Sequence, residues 1–273
     1  MTALGYRFPL IGLIGFAFLI AWALVAIAAP YLVPYGVGEI VDFSIFTSSS
    51  DRFLLGTDYL GRDVLSRILM GARVTIGISL AAVTLAVVAG VGLGMTAALV
   101  GGWADTVMSR VFDALSSIPS KLFGLVAVAG GGSSVPMLIV ILAVIYTPGA
   151  YRFARSLAVN VNAMDYVTVA RLRGENLFHL ARAEVLPNIL GPVLTDFGLR
   201  FVFVVLLLSG LSFLGLGVQP PLADWGALVR ENIGGLSFAA PAVIMPSVAI
   251  ASLTIAVNVA IDNLPRKIRD RGV

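Results

Sequence analysis

The chain has 273 residues, 59% of them hydrophobic and 12% charged, with a mean hydropathy of +0.99. A soluble domain is about 45 to 50% apolar and about 25% charged, so this composition describes an integral membrane protein. The absence of cysteine excludes a disulfide scaffold, and the net charge of +3 reads as a topology signal, because Lys and Arg gather in short cytoplasmic loops, and not as a nucleic-acid surface.

The first apolar run covers 10–29, follows Arg7 and ends at Pro30. It exceeds the h-region of a signal peptide, about 7 to 15 residues, and is expected to stay as an uncleaved span. The outer stretch 31–73 opens with Pro34, Gly36 and Gly38 and continues through the polar run 47–51, an irregular composition. After Gly56, Thr57 and Asp58 a helical pattern begins, with Leu60, Val64, Leu65, Ile68 and Leu69 on one face and Arg62, Asp63, Ser66 and Arg67 on the other. This predicts an amphipathic helix at the outer interface, either a cover for the bundle mouth or a docking surface. Asp63 and Arg67 are placed to pair at i,i+4.

The second span, 74–100, carries small residues at a four-residue interval: Ala82, Ala86, Gly90, Gly94 and Ala98. Such a stripe lets another helix approach closely in lipid. The third span, 107–129, contains Asp113, Ser116, Ser117, Pro119 and Lys121, and Pro119 is expected to kink it. A fourth span covers 135–146 and extends to about 153. The inner connection 152–192 follows, long enough to suggest a function. Within it, 163–173 can form a short helix with Asp165 near its start and Gly174 as a stop; a second helix, 175–186, is expected to end at Pro187. Tyr166, Val167, Val169 and Ala170 are unusually apolar for a solvated hairpin and imply a partner that covers them. The fifth span, 193–218, holds Asp196 and Arg200 at pairing distance, and the sixth covers 239–261.

With an inside N-terminus, 11 of the 18 basic residues fall inside: Arg7, Arg110, Arg152, Arg155, Arg171, Arg173, Arg182, Arg266, Lys267, Arg269 and Arg271. Five fall outside, namely Arg52, Arg62, Arg67, Arg73 and Arg230, while Lys121 and Arg200 lie within spans. Six spans with both termini in the cytoplasm satisfy this bias. No phosphate-binding G-x-x-x-x-G-K-[ST] loop and no H-E-x-x-H or G-x-S-x-G motif occurs. The lone His179 is expected to be solvated. The chain is therefore not expected to be an enzyme or to bind a cofactor, metal or nucleic acid itself.

The residues Leu55, Gly56, Thr57, Asp58, Tyr59, Leu60, Gly61, Arg62, Asp63, Val64, Leu65, Ser66 and Arg67, continued by Gly71, Ala72 and Arg73, resemble a signature of the permease subunits of binding-protein-dependent ABC importers. Arg110, Asp113 and Pro119, and the segment 210–221 followed by Trp225 and Gly226, are similar to the same family, and in particular to the second (C-type) permease of the dipeptide, oligopeptide and nickel group. The inner loop resembles the family's coupling motif, E-A-A-x-x-x-G followed by an aliphatic residue near L-P. Here those positions are Thr168, Val169, Ala170 and Gly174, then Val185, Leu186 and Pro187, so Thr168 stands where the family has Glu.

The resemblance implies a type I ABC importer permease fold, all-α with six transmembrane helices. Residues 1–73 would form the first helix and periplasmic loop, and 74–273 a five-helix core with a coupling loop at about 152–192. It implies half of a translocation pathway for a peptide-like solute in the bacterial inner membrane. The expected partners are a homologous second permease forming a heterodimer, two cytoplasmic ATPases carrying ATP and Mg, a periplasmic solute-binding protein and membrane lipid. Asp165, Tyr166, Val167, Thr168, Ala170, Arg171, Gly174, Glu175, Leu186 and Pro187 would dock the ATPase, the apolar part through Tyr166, Val167 and Ala170. Gly56, Thr57, Asp58, Gly61, Arg62, Asp63, Arg67 and Trp225 would form the binding-protein side. Nickel chelates, opines and oligosaccharides are other solutes of the same class. A secondary transporter coupled to ions through Asp113 and Asp196, or a membrane enzyme using His179, are the rivals from other classes.

Overall fold

The computed structural model describes residues 10–263; of the basic residues assigned above, Arg7, Arg266, Lys267, Arg269 and Arg271 lie outside the described residues, as do both termini. The elements in order are α1 (Leu10–Leu32), α2 (Val64–Val100), α3 (Gly102–Ser116), α4 (Ser120–Gly131), α5 (Val135–Asn162), α6 (Asp165–Leu172), α7 (Leu177–His179), a π-helical turn (Leu180–Val185), α8 (Leu186–Phe213), α9 (Trp225–Glu231), a 3-10 segment (Ile233–Phe238) and α10 (Pro241–Asp262). Among the described residues, five helical runs are long and apolar enough to span a membrane: α1, α2, α5, the run from α7 through α8, and α10. Counted as one span, α3 with α4 makes the sixth.

The outer amphipathic segment is not a separate interfacial helix. It is the beginning of α2, which runs unbroken for 37 residues, about 55 Å at 1.5 Å per residue. Asp63 starts it by accepting from the Ser66 amide at 2.8 Å and the Ser66 hydroxyl at 2.6 Å, a side-chain cap for otherwise orphan donors. Gly71 does not interrupt it; the missing side chain leaves room for the Trp225 ring, since a Cβ there would lie 3.0 Å from Trp225 Cδ1. Gly101 and Gly102, both at positive φ, end the helix where a side chain would be strained.

The third span is broken, not kinked: α3 and α4 meet at 85°. Pro119 has no N–H for the helical ladder, and its ring disfavours helical geometry at Ile118. Ser117 N–H is turned back to Asp113 and Ala114 carbonyls, and the Pro119 carbonyl opens α4 by accepting from Phe123.

The fourth span continues well past 153, to Asn162, and the inner connection is correspondingly shorter than 152–192. Pro187 does not end a helix. The π-helical turn before it places the Leu186 amide on the Ala181 carbonyl, and Pro187 follows directly at the start of α8, so the wider turn carries the helix past the residue that lacks an N–H. Helix α7, the π turn and α8 thus form one continuous rod. Pro30 likewise falls within the last turn of α1 instead of ending it.

The longest helix pairing is α2 against α5. Ala82, Ala86, Gly90, Gly94 and Ala98 are all buried; Gly90 and Gly94 lie against Ala150 and Ala154 of α5, which with Ala158 repeat at the same interval and are also buried. A Cβ on Gly90 would sit 2.5 Å from Ala150 Cβ, and one on Gly94 2.7 Å from the Tyr151 carbonyl. Helix α1 lies against α10, where the Trp22 indole N–H donates to Ser252 Oγ at 3.0 Å.

Candidate functional site

At the outer end, the signature residues build a brace. Gly56 and Gly61 adopt φ of +72° and +73°, and a Cβ on either would collide with a backbone carbonyl, of Thr47 and Asp42 respectively. Thr57 Oγ1 accepts from the Thr47 amide at 2.9 Å and donates to the Ser44 carbonyl at 3.1 Å. These bonds fold the loop so that Asp58 points at the start of α2. Asp58 Oδ1 accepts from the Leu60 and Arg62 amides, and Oδ2 takes Arg62 Nε and Arg67 Nη1, both at 2.7 Å. Glu231 of α9 closes the network, 2.9 Å from Arg62 Nη2 and from Arg67 Nη1, and Asn232 Oδ1 accepts from the Tyr59 amide.

The expected Asp63–Arg67 pair is not formed: Asp63 is engaged as the α2 cap and Arg67 turns to Asp58 and Glu231. Burial would lower the Arg62 pKa, but Asp58 beside it, assisted by Glu231, raises it above its ordinary value.

Of the residues assigned to a binding-protein surface, Gly56, Thr57, Asp58, Gly61, Asp63, Arg67 and Trp225 are buried and Arg62 is half-buried. They hold the outer cap to the bundle and do not themselves present a docking face. Trp225 is wholly buried, its indole N–H on the Ile68 carbonyl at 3.0 Å and its amide on Thr75 Oγ1 at 3.1 Å. Asp224 caps α9 through the Ala227 amide; burial pushes its carboxyl up to about 6, against the opposing Ala227 amide and Ser212 hydroxyl. Glu231 and Asn232, invisible in the motif, became recognisable only once α9 was folded beside α2.

At the inner end, α6 stops at Gly174, whose φ is +84°, with the Glu175 amide returning to the Ala170 carbonyl. Its apolar face is divided differently from the expectation. Val167, 1% exposed, and Ala170 are buried within the chain, whereas Leu172 is 83% exposed and Tyr166 and Val169 are also outward. A short amphipathic helix needs one apolar side to hold it to its own bundle, and Val167 and Ala170 serve that purpose. Across the turn, Leu177 and Phe178 are exposed as well.

Arg171 is not a free flank: its guanidinium donates to Asn162 Oδ1 at 2.9 Å and to the Leu99 carbonyl at 3.5 Å. Tyr166 Oη accepts from Asn188 Nδ2 at 3.0 Å. Asp165, Thr168, Glu175 and Pro187 are exposed and Leu186 is half-buried. His179 is exposed and only 3.9 Å from Glu175; the described residues contain no cluster of three metal-binding side chains.

Half-way through the bundle, the α3/α4 break leaves a cavity of about 230 Å³ bounded by α5 and α8. Arg200 projects into it, bound to Asp196 at 2.5 and 3.0 Å, so that the expected i,i+4 pair is present. Asp113 is exposed on α3, a helix with no buried residue of its own. Tyr146 and Arg152 of α5 also line the cavity; neither was singled out in the sequence as a cavity residue.

A family profile described as "Binding-protein-dependent transport system inner membrane component" matches residues 90–270. The glutathione transport system permease protein GsiD of Pectobacterium atrosepticum is 33% identical over 244 residues, covering 88% of this chain and 81% of that protein. The dipeptide transport system permease protein DppC of Haemophilus influenzae is 32% identical over 258 residues, covering 92% and 88%. Among solved structures, a chain from inward-facing conformations of the MetNI methionine ABC transporter matches with a TM-score of 0.60 and 16% identity, over 75% of this chain and 96% of that one. At that identity the likeness shows the fold alone.

Proposed function

Because this chain belongs to the inner-membrane components of binding-protein-dependent transport systems, and is thus a permease subunit of an ABC importer, we propose that it is the C-type subunit of an importer for peptide-like solutes. The observation that carries the solute class is its similarity, across nearly the whole chain, to permeases named for glutathione and for dipeptides. The same reading supplies the partners: a homologous second permease, a periplasmic binding protein that delivers the solute, and two ATPases that hold ATP and Mg, this chain binding no cofactor.

Helix α3 has no buried residue and α4 only two, so the broken span is the edge on which the second permease closes the pathway. The outward row Tyr166, Val169, Leu172, Leu177 and Phe178 is the surface that enters a groove of an ATPase, with Asp165, Thr168, Gly174, Glu175 and Arg173 around it. An apolar row on a polar inner loop supports that assignment, because its burial is favourable only against another protein. Closure of the ATPases on nucleotide then moves the inner helices of the two permeases together and turns the central cavity outward, a rigid-body alternation. Both termini of the chain lie in the cytoplasm in this arrangement.

Reconstitution with the binding protein, sister permease and ATPases tests the reading. ATP-dependent, vanadate-sensitive uptake of a peptide is the expected outcome. Uptake that continues without ATP and collapses with an ionophore identifies an ion-coupled transporter instead. Binding of a nickel chelate, an opine or a sugar by the associated binding protein, in place of a peptide, replaces the solute class.

A further inference from the structure

The cavity at the α3/α4 break is cationic by construction. Arg152 and Arg200 line it, together with Tyr146 and the hydroxyl-bearing Ser116 and Ser120, and no acidic side chain does. Arg200 is neutralised by Asp196, which takes its Nε and Nη2, leaving Nη1 beside the Tyr146 carbonyl at 3.5 Å. Gly149 lets the guanidinium lie against α5, since a Cβ there would be 2.5 Å from Nη1. Arg152 is different: it is exposed and enters no ion pair among the described residues. An ionisable group within a span faces a water-filled path or a partner of opposite charge, and no acidic side chain among the described residues pairs with it.

We propose that this cavity is a station for a carboxylate group of the passing solute, held by Arg152, with the Ser116 and Ser120 hydroxyls completing its shell and Arg200, engaged by Asp196 and the Tyr146 carbonyl, forming its wall. The inference rests on the permease reading above for the identity of the anion as cargo. A guanidinium matches a carboxylate bidentately, and among the described residues the Ser116 and Ser120 hydroxyls make no hydrogen bond that competes for them. The Asp196–Arg200 pair fixes one wall, so that a single net positive charge faces the cavity. A station of that kind favours an acid over its amide without holding either tightly enough to stall it.

The sequence has no cysteine, so Ile118→Cys, on the cavity lining outside the proposed shell, introduces a single thiol into this chain. In the assembled importer that thiol is reacted with a sulfonate-bearing and with a trimethylammonium-bearing methanethiosulfonate, and the adducts are read by the intact mass of this chain. With each rate divided by that reagent's rate on a free thiol in solution, the anionic reagent is expected to react about tenfold faster, the scale of local electrostatic enrichment. Arg152→Gln should bring the ratio towards one and Arg152→Lys should retain it. Free dialanine should slow the anionic reaction, and its C-terminal amide should not. Equal rates in the parent, a ratio indifferent to Arg152→Gln, or identical behaviour of dialanine and its amide overturns the station. ATP-driven uptake by the same complex is scored separately. Uptake without anion preference defeats this inference alone, and anion preference without ATP-driven uptake defeats the permease reading and with it the anion's identity as cargo.

Discussion

Asp58 and Arg67 form an ion pair at 2.7 Å in which both side chains are almost fully buried, joining the outer loop to the first turn of α2. Breaking a buried pair by removing one partner costs about 3 to 5 kcal/mol, because the other charge stays buried and uncompensated. Asp58→Ala is therefore expected to lower the thermal stability of the detergent-purified chain severely, and Glu231→Gln much less, since Glu231 is the more exposed partner. A fluorescence melt of the two variants beside the parent checks the ranking; equal effects would mean that Asp58 is not the hub.

The α2/α5 contact gives the second expectation. Gly90→Leu forces side-chain atoms into Ala150 and the Tyr151 backbone, and overpacking of this kind costs about 1 to 3 kcal/mol or more. Val88→Leu, on an exposed position of the same helix, should be tolerated. The amount of assembled permease in membranes separates them, and equal tolerance would show that the stripe does not pack as described.

Asp224 gives a pH dependence of definite sign. Its folded pKa, about 6, lies above the ordinary 3.8, so the folded chain holds this proton more tightly than the unfolded one. Its contribution is fully present below 3.8 and is lost as pH rises through 6, amounting to about 3 kcal/mol at about 1.4 kcal/mol per unit. Asp224→Asn can still accept from the Ala227 amide and cannot ionise. The melting difference between parent and variant should shift in favour of the variant between pH 4 and pH 6.5; a difference that is flat across this window contradicts the shift.

For the inner helix, Leu172→Asp should weaken association with the ATPases and leave membrane insertion intact. Val167→Asp should instead damage the permease itself, because Val167 is buried against its own bundle. Co-purification of the ATPases and membrane yield distinguish the two. If Leu172→Asp leaves co-purification unchanged, the outward row is not the docking surface.

Topology is the simplest check. Reporter fusions at Ser49 and Asn176 should report opposite sides of the membrane, Ser49 outside. The same side for both removes the six-span arrangement.

Much of this was legible in advance where one physical rule dominated. Apolar length located the spans, the four-residue recurrence of Ala and Gly located the α2 face, and Gly174 marked the end of α6. The complementary alanines at 150, 154 and 158 were equally visible but sat among polar residues that masked the pattern. Pro187 and Pro119 show the limit. Both remove a helical hydrogen bond, yet the chain continues through one by a π turn and breaks at the other, because the outcome depends on what packs around each site. Amphipathicity alone did not reveal that the outer pattern belonged to α2, since the covering element α9 lies more than 150 residues away in sequence. The same limit applies to α6: periodicity identified its apolar residues without saying which of them its own bundle would claim.

The unbroken length of α2 has a mechanical consequence. Its first turn is clamped by Asp63, Arg67 and Glu231, and its last turn meets the inner segment through Arg171 on the Leu99 carbonyl and Asn162 on the Ala98 carbonyl. A continuous α-helix without a proline is stiff along its axis, and none lies within α2. If α6 docks the ATPases as proposed above, a push on it reaches the outer cap through one helix that no proline interrupts. The broken α3/α4 span beside the cavity has the opposite character: its two helices meet at 85°, so it is two short levers where α2 is one long one.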